Sequence, residues 1–294
     1  MSVVTDVYIA ICQRMNNGFT FGIYSRYSAI RIADVFRFAV FCCTVLLVHN
    51  GWCSTAVVIV RRDSITVGAD SKARGIHGEE ITNVCKLAVS SDMLFANDGI
   101  LGDNSGWFID VAREIMKSSH DPTSALAKFD KIMVLRLSAV ATLLAISDPA
   151  YFKARINKSI YDAAFGAYGF SGARVIGQSY ILEQSPGGLF LVKPYTTPFR
   201  IRPQPEERCV TGCPDGTVLP MGYGSEIGAY IHSHPGYTRT ADPVAAARMF
   251  VGLEITAHPT MVGPPVEILT IDGKGPVWSQ DDEGCKTGDI PKAK

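Results

Sequence analysis

From Thr55 onward the chain alternates between short runs of β-branched and apolar residues and polar breaks. Thr55–Val60 and Ile65–Asp70 flank Arg61, Arg62, Asp63 and Ser64, a pattern that predicts two strands joined as a hairpin. Asn83–Ser90 and Met93–Asn97 repeat it across Ser91 and Asp92, so the domain is expected to open with four strands in succession. The period then changes. Over Ser105–Ser118, residues Trp107, Phe108, Val111 and Ile115 fall on one helical face. Asp121 stands immediately before Pro122: a carboxylate can accept the free N–H groups of a first turn, and proline there has no N–H to lose. A second amphipathic helix is therefore predicted from Pro122 to about Ile146.

Residues 150–172 have no clean period and read as a loop or a short helix. Strands resume at Arg174–Glu183 and Leu189–Tyr195, with Ser185, Pro186, Gly187 and Gly188 as the turn between them. Asp242-Pro243 repeats the cap-plus-proline signal and opens a helix to about Ala257, followed by a strand over Val266–Ile271 that ends at Asp272-Gly273. Strands, two helices, strands, helices, strand: blocks segregated in this way argue for an α+β fold with antiparallel sheets and against a doubly wound parallel sheet. The expected architecture is a four-layer αββα sandwich, two sheets face to face between helical layers. No internal repeat, heptad or low-complexity tract interrupts it, and 280–294 reads as a mobile tail.

Composition narrows the function classes. With 294 residues, 47% apolar and 19% charged, the chain can bury a real core, which excludes disorder and fibrous repeats. Lys plus Arg and Asp plus Glu both number 28, so the charge balance points to no nucleic-acid partner. Nor is a nucleotide cofactor indicated: there is no Walker-type run, and the glycines of 222–228 lack the dinucleotide fingerprint spacing. No cofactor and no metal are expected.

Residues 1–53 are read as a targeting segment. After Arg31 and Arg37 comes the uncharged stretch Phe38–Val48, then Gly51 and Cys53, small residues two apart. This is the layout of a secretory signal peptide cleaved before Ser54; a pro-segment removed on maturation, or a retained core element, are the alternatives. The apolar run is too short for a comfortable span, which takes about 20 residues, so any membrane contact would come through this segment alone. Met1–Ile30 is long for a leader, and Met15 offers an alternative start. Export would place the protein in a secreted or periplasmic setting, and otherwise it is cytoplasmic. Of eight cysteines, four (Cys12, Cys42, Cys43, Cys53) precede Ser54, leaving Cys85, Cys209, Cys213 and Cys285. Cys209 and Cys213 are expected as a small-loop disulfide if exported and as free thiols if cytosolic.

With Ser54 taken as first residue, the segment from Ser54 to Gly75 resembles the start of a mature proteasome β-type subunit, a member of the N-terminal nucleophile hydrolases. The features that carry the likeness are the Gly68-Ala69-Asp70 signature, Lys86 sixteen residues after Asp70, and the strand Leu94–Asn97 running into Asp98-Gly99. Gly222-Tyr223-Gly224-Ser225 is similar to the glycine-serine turn that opens a family helix, and Asp242–Ile271 to the last long helix and strand. The resemblance covers about Ser54 to Trp278, and implies a domain over 54–279.

What it implies for chemistry is intelligible from the residues. An N-terminal hydroxyl residue carries its own base, because an α-amine titrates near ~7.7–8.0 and lies within reach of the adjacent hydroxyl. By resemblance Ser54 would be the nucleophile, Lys86 would stabilise its alkoxide, Asp70 would hold Lys86 charged and oriented, and the backbone N–H of Gly99 would serve as oxyanion donor. The expected activity is hydrolysis of amide bonds in a peptide or protein substrate, with assembly among identical subunits possible. Departures are specific. Serine stands where the family has threonine, and Cys53 where it has glycine. Tyr223, Pro259 and Val262 stand where a serine, an aspartate and a serine support the amine. A catalytically inactive scaffold or binding subunit of the same fold is therefore the alternative.

His232-Ser233-His234-Pro235 also resembles the core of the JAMM metallopeptidases, in which two histidines bind zinc. The remaining ligand positions fall on Asp242 and Ala245 and do not complete that motif.

Overall fold

The computed structural model describes residues 54–74, 80–90, 92–99, 105–169, 172–184, 190–192, 195–197, 199–209 and 213–280. The expected targeting segment, the turn at 185–188 and the tail after Gln280 lie outside the described residues.

The expected hairpin forms. Strand β1 (Thr55–Val60) pairs antiparallel with β2 (Ser64–Asp70), Ala56 opposite Ala69 and Val60 opposite Ile65. After the short pair β3 (Ala73–Arg74) and β4 (Glu80–Ile81), β5 (Leu87–Ser90) and β6 (Met93–Gly99) make a second hairpin. The strand expected from Asn83 begins only at Leu87: Asn83 takes a left-handed φ of 59°, and the N–H groups of Val84 and Lys86 go to the Ser71 carbonyl at 3.0 Å and to Glu267 at 3.4 Å. Helices α1 (Ser105–Lys117) and α2 (Pro122–Ser147) follow. The Asp121 carboxylate accepts the N–H groups of Thr123 at 2.9 Å and Ser124 at 3.0 Å, so the cap acts as its sequence suggests.

The segment without a clean period is ordered. It holds helix α3 (Pro149–Arg155) and the eleven-residue strand β7 (Ser159–Gly169), where a loop or short helix was expected. Residues Ile160 to Ala167 are buried on both faces of β7, and a strand buried on both faces shows no polar alternation. Strand β8 (Gly172–Gln184) pairs with β7. The strand expected over Leu189–Tyr195 is instead two short ones, β9 (Phe190–Val192) and β10 (Tyr195–Thr197), paired with each other on either side of Pro194. Then come β11 (Phe199–Cys209), β12 (Thr217–Gly222), α4 (Ser225–Ser233), α5 (Tyr237–Thr240), α6 (Pro243–Ala257), β13 (Val266–Asp272) and β14 (Gly275–Gln280). Asp242 caps α6 through the N–H of Ala245 at 2.7 Å.

The result is a mixed α+β fold with two five-stranded antiparallel sheets, ordered β12-β1-β2-β13-β14 and β11-β8-β7-β6-β5. Side-chain parity distributes the core. On β1, Val57 and Ile59 pack with Ala247, Phe250 and Val251 of α6. The alternate residues Ala56, Val58 and Val60 pack with Leu94 and Ala96 of β6 and Ala164 of β7, filling the gap between the sheets. The far side of the second sheet carries Phe95, Phe165, Tyr161 and Tyr180 against Phe108 of α1 and Phe129 of α2. Phe95 stands 5.2 Å from Phe129 and 4.9 Å from Phe165, centroid to centroid, which is ordinary aromatic packing. No described helix is long and apolar enough to cross a membrane.

Candidate active site

Parity also places the candidate residues. Ser54 immediately precedes β1 and shares the alternation of Ala56 and Val58, toward the gap between the sheets. Asp98, near the end of β6, shares that of Leu94 and Ala96, and sits directly opposite Asp162 of β7 in the antiparallel register. Ser54, Asp70, Lys86, Asp98 and Asp162 thus converge from five stretches of chain at one end of the two sheets.

Asp70 is the best satisfied group. Its Oδ1 accepts the N–H of Thr55 at 2.7 Å and the ammonium of Lys86, and its Oδ2 accepts the N–H groups of Lys72 at 3.0 Å and Gly263 at 3.1 Å. The ion pair is fully buried, Lys86 being 1% exposed and Asp70 not at all. Taking two charges out of water is costly unless each is matched, and the three backbone donors on Asp70 complete that match. The backbone N–H of Lys86 points at Glu267, a buried carboxylate on β13, at 3.4 Å.

Ser54 is held by its backbone. Its carbonyl accepts the N–H of Tyr223 at 3.1 Å, and the hydroxyl of the next residue, Thr55, donates to the carbonyl of Tyr223. The Tyr223 ring stacks on His258 at 4.3 Å. So Tyr223, which stands where the resemblance expects a serine, reaches Ser54 through main-chain atoms. Pro259 offers its carbonyl to Lys72 at 3.1 Å, and Val262 is buried, its N–H bonded to the His258 carbonyl at 2.8 Å. The three substituted positions surround the expected site without supplying the hydroxyl or carboxyl groups that the resemblance implies.

Asp98 is the residue that sequence reasoning missed. It is fully buried, and neither of its oxygens nor the Ser54 Oγ completes a hydrogen bond. Burial pushes its pKa up to about 7, against the pull of the Lys86 ammonium and the nearby Ser54 hydroxyl; the carboxylates of Asp162 and Asp70 add to the rise. Asp162 itself accepts the Ser159 hydroxyl at 2.8 Å and the Gly222 N–H at 3.3 Å. Burial, with the charges of Asp98 and Asp162, also lifts the buried Tyr161 phenol well above its ordinary value. The one local clue to Asp98 was an acid, next to Asn97, near the end of a strand that is otherwise apolar or glycine.

Two glycines shape the cluster. Gly99 is the last residue of β6, opposite Tyr161, with φ +120°; a Cβ there would lie 2.5 Å from the Ile160 carbonyl oxygen. This steric demand accounts for the glycine, whatever its N–H does. Gly222, at φ +68°, would place a Cβ 1.8 Å from Asp98 Oδ2 and 2.5 Å from the Ser54 carbonyl oxygen. The Asp98 carboxylate therefore packs against bare backbone.

His232 and His234 lie at the C-terminal end of α4, exposed, and the His234 ring stacks on Tyr230 at 4.1 Å. Asp242 is engaged as the cap of α6. Among the described residues no group of three or more His, Cys, Asp or Glu side chains is placed to hold a metal ion.

Chemically, the cluster puts a hydroxyl beside a carboxyl that titrates near neutrality and close to a buried ammonium. No family model matches the chain, and no curated protein matches it.

Proposed function

We propose that the chain is the precursor of an N-terminal nucleophile hydrolase of the proteasome β type, with the four layers of that fold, hydrolysing amide bonds in peptides or proteins. Cleavage before Ser54 supplies the α-amine that acts as base for the Ser54 hydroxyl. Lys86 lowers the cost of the alkoxide, and Asp70 fixes Lys86. The observation that supports this reading above all others is the buried Asp70–Lys86 pair, four-fold satisfied at Asp70, anchoring the N–H of the residue next to Ser54. An ordinary strand-end ion pair has no need of that anchor. An exported setting accords with Cys85 and Cys213 each belonging to a disulfide.

A second reading, the inactive scaffold, is favoured by Tyr223, Pro259 and Val262, which leave a freed amine without the side-chain partners that the resemblance implies. One experiment separates the two. Protein recovered from its native compartment is N-terminally sequenced and treated with a serine-reactive acylating probe. A chain beginning at Ser54 that gains one acyl group, lost in Ser54→Ala and in Lys86→Ala, supports the hydrolase. A Ser54 terminus that stays unacylated supports the scaffold.

A further inference from the structure

A helix that packs on a sheet needs one apolar stripe, and α2 carries two. The inner one, with Phe129, Met133, Leu137 and Leu144, is buried in the core over the second sheet. The outer one is Ile132, Leu135, Ala139, Leu143 and Ile146. At 100° per residue these five fall within about 80° of arc and run about 21 Å along the axis. Ile132 is 38% exposed, Leu135 62%, Leu143 49% and Ile146 77%, and among the described residues only Val277 is another large apolar side chain so exposed. Scattered singly such residues need no explanation, but a contiguous stripe marks an interaction surface. Arg136, the one charged residue between Lys131 and Asp148, is drawn toward the Trp107 ring of α1 at 5.3 Å. Lys128, one turn before Ile132, reaches back to the Ser118 carbonyl and hydroxyl.

The stripe reads the same in both directions. Isoleucine, leucine, alanine, leucine and isoleucine are spaced three, four, four and three residues apart, so Ala139 is the midpoint of both the Ile132/Ile146 and the Leu135/Leu143 pairs. From this symmetry we infer that α2 is a two-fold dimer contact between copies of this chain, the two helices antiparallel and crossing at Ala139. Ile132 then meets Ile146 of the partner subunit, Leu135 meets Leu143 of the partner subunit, and the small Ala139 lets the axes approach to about 8 Å. Charge agrees with that direction. Lys131 comes opposite Ser147 of the partner subunit, beside the last carbonyls of that helix and Asp148 of the partner subunit, where a cation is favoured. Parallel helices would instead set the two Lys131 side chains against each other. A strip about 21 Å long and one helix wide, about 10 Å, falls short of the ~800 Å² per partner of a standard interface, so the dimer is a weak one, at the micromolar end of the range. An isologous contact closes at two copies, which distinguishes it from ring assembly. The helix lies on the far side of the second sheet from the gap in which Ser54 stands, so pairing leaves that cluster uncovered and holds whether or not the chain is a hydrolase.

The test is sedimentation velocity on the full chain from about 1 to about 200 μM. Wild-type chain is expected to pass from monomer to dimer over that range. Leu135→Lys and Leu143→Glu should each raise the dissociation constant by about tenfold or more. Combined, they should restore the dimer, because the antiparallel register sets each new lysine against a new glutamate, which a parallel register does not. Under mild oxidation Ala139→Cys should give a disulfide dimer above the wild-type background, its Cα atoms lying at the crossing within the roughly 4.4–6.8 Å that a disulfide spans. Lys131→Cys should not, its two copies standing about 24 Å apart along the axis. The oxidation pair decides the matter if a charged variant does not fold. A chain that stays monomeric throughout, a dimer that Leu135→Lys leaves intact, or a folded double variant that stays monomeric overturns the inference. So does a monomer that binds vesicles of phosphatidylcholine and phosphatidylglycerol and loses them on Leu135→Lys, which would assign the stripe to a lipid surface.

Discussion

The main-chain N–H of Thr55 donates to Asp70 Oδ1 at 2.7 Å, the same oxygen that receives the Lys86 ammonium. One carboxylate oxygen thereby ties the start of β1 to the buried lysine. Removing Lys86 leaves Asp70 with its backbone donors but without a countercharge. Lys86→Met is expected to destabilise the fold by about 3–5 kcal/mol in urea unfolding, and a cost under about 1 kcal/mol would show that the pair is not buried as described.

Asp98 has the opposite character, a carboxyl the fold prefers neutral. Its pKa rises from an ordinary 3.8 to about 7 on folding, so its contribution to stability is intact below pH 4 and is lost as pH rises through 7. Asp98→Asn removes that penalty. Thermal melts should show the variant stabilised relative to wild type at pH 8, with a ceiling of about 4 kcal/mol, and the gain should shrink on going to pH 4.5. A gain independent of pH would mean that Asp98 is already ionised in the fold at pH 4.5.

Gly222→Ala tests the packing of the same carboxylate. The added methyl would have to displace Asp98 Oδ2 from 1.8 Å, at a φ of +68° that alanine resists. A loss of about 2 kcal/mol or more is expected by denaturant unfolding, and adding Asp98→Gly should recover part of it, since the carboxylate's clash is then gone and the one with the Ser54 carbonyl oxygen remains. No recovery in the double variant would assign the cost to backbone strain and to the Ser54 carbonyl contact, not to the carboxylate.

Glu254, buried on α6, caps a different helix. Its Oε1 accepts the N–H groups of Glu226 at 2.9 Å and Ile227 at 3.1 Å at the start of α4, where Gly224 offers no side chain to do so. Glu254→Ala should cost about 1–2 kcal/mol. Glu254→Gln keeps an acceptor and should cost less, and equal losses would argue that charge near His258, 3.6 Å from Oε2, matters more than the cap.

Cys85 and Cys213 each belong to a disulfide. Alkylation of unfolded protein without reductant, followed by peptide mass mapping, should leave both unlabelled, and reductant should expose both. Labelling before reduction would contradict the bonded state and with it the support for export.

The sequence announced elements whose signal is local. β1 and β2 show as β-branched runs around Arg61–Ser64, and Asp121-Pro122 and Asp242-Pro243 mark helix starts because the cap chemistry involves neighbours in the chain. β7 was hidden because Ala163, Ala164, Gly166 and Ala167 are small residues lying between two packed faces, with no polar alternation to read. Asp98 was hidden for another reason. Its meaning comes from standing across from Asp162, 64 positions further on, which strand register creates, and beside Ser54, which the facing of the two sheets creates. Lys86 and Asp70 were found through their spacing in a resemblance; by themselves they read as one more ion pair.

The peptide that joins Ser54 to Thr55 is held at both of its polar atoms, the carbonyl by the Tyr223 N–H and the N–H by Asp70. With that peptide held, the hydroxyl's place depends on two torsions of its own residue, ψ and χ1. The entropy of positioning it is surrendered when the sheets assemble, so a reacting carbonyl that arrives there need order only itself. Oriented intramolecular groups of this kind reach effective concentrations of order 10⁵ M or more. The same clamp gives an inactive relative of the fold a rigid sheet end, so that rigidity alone does not separate enzyme from scaffold; the freedom of one amine does.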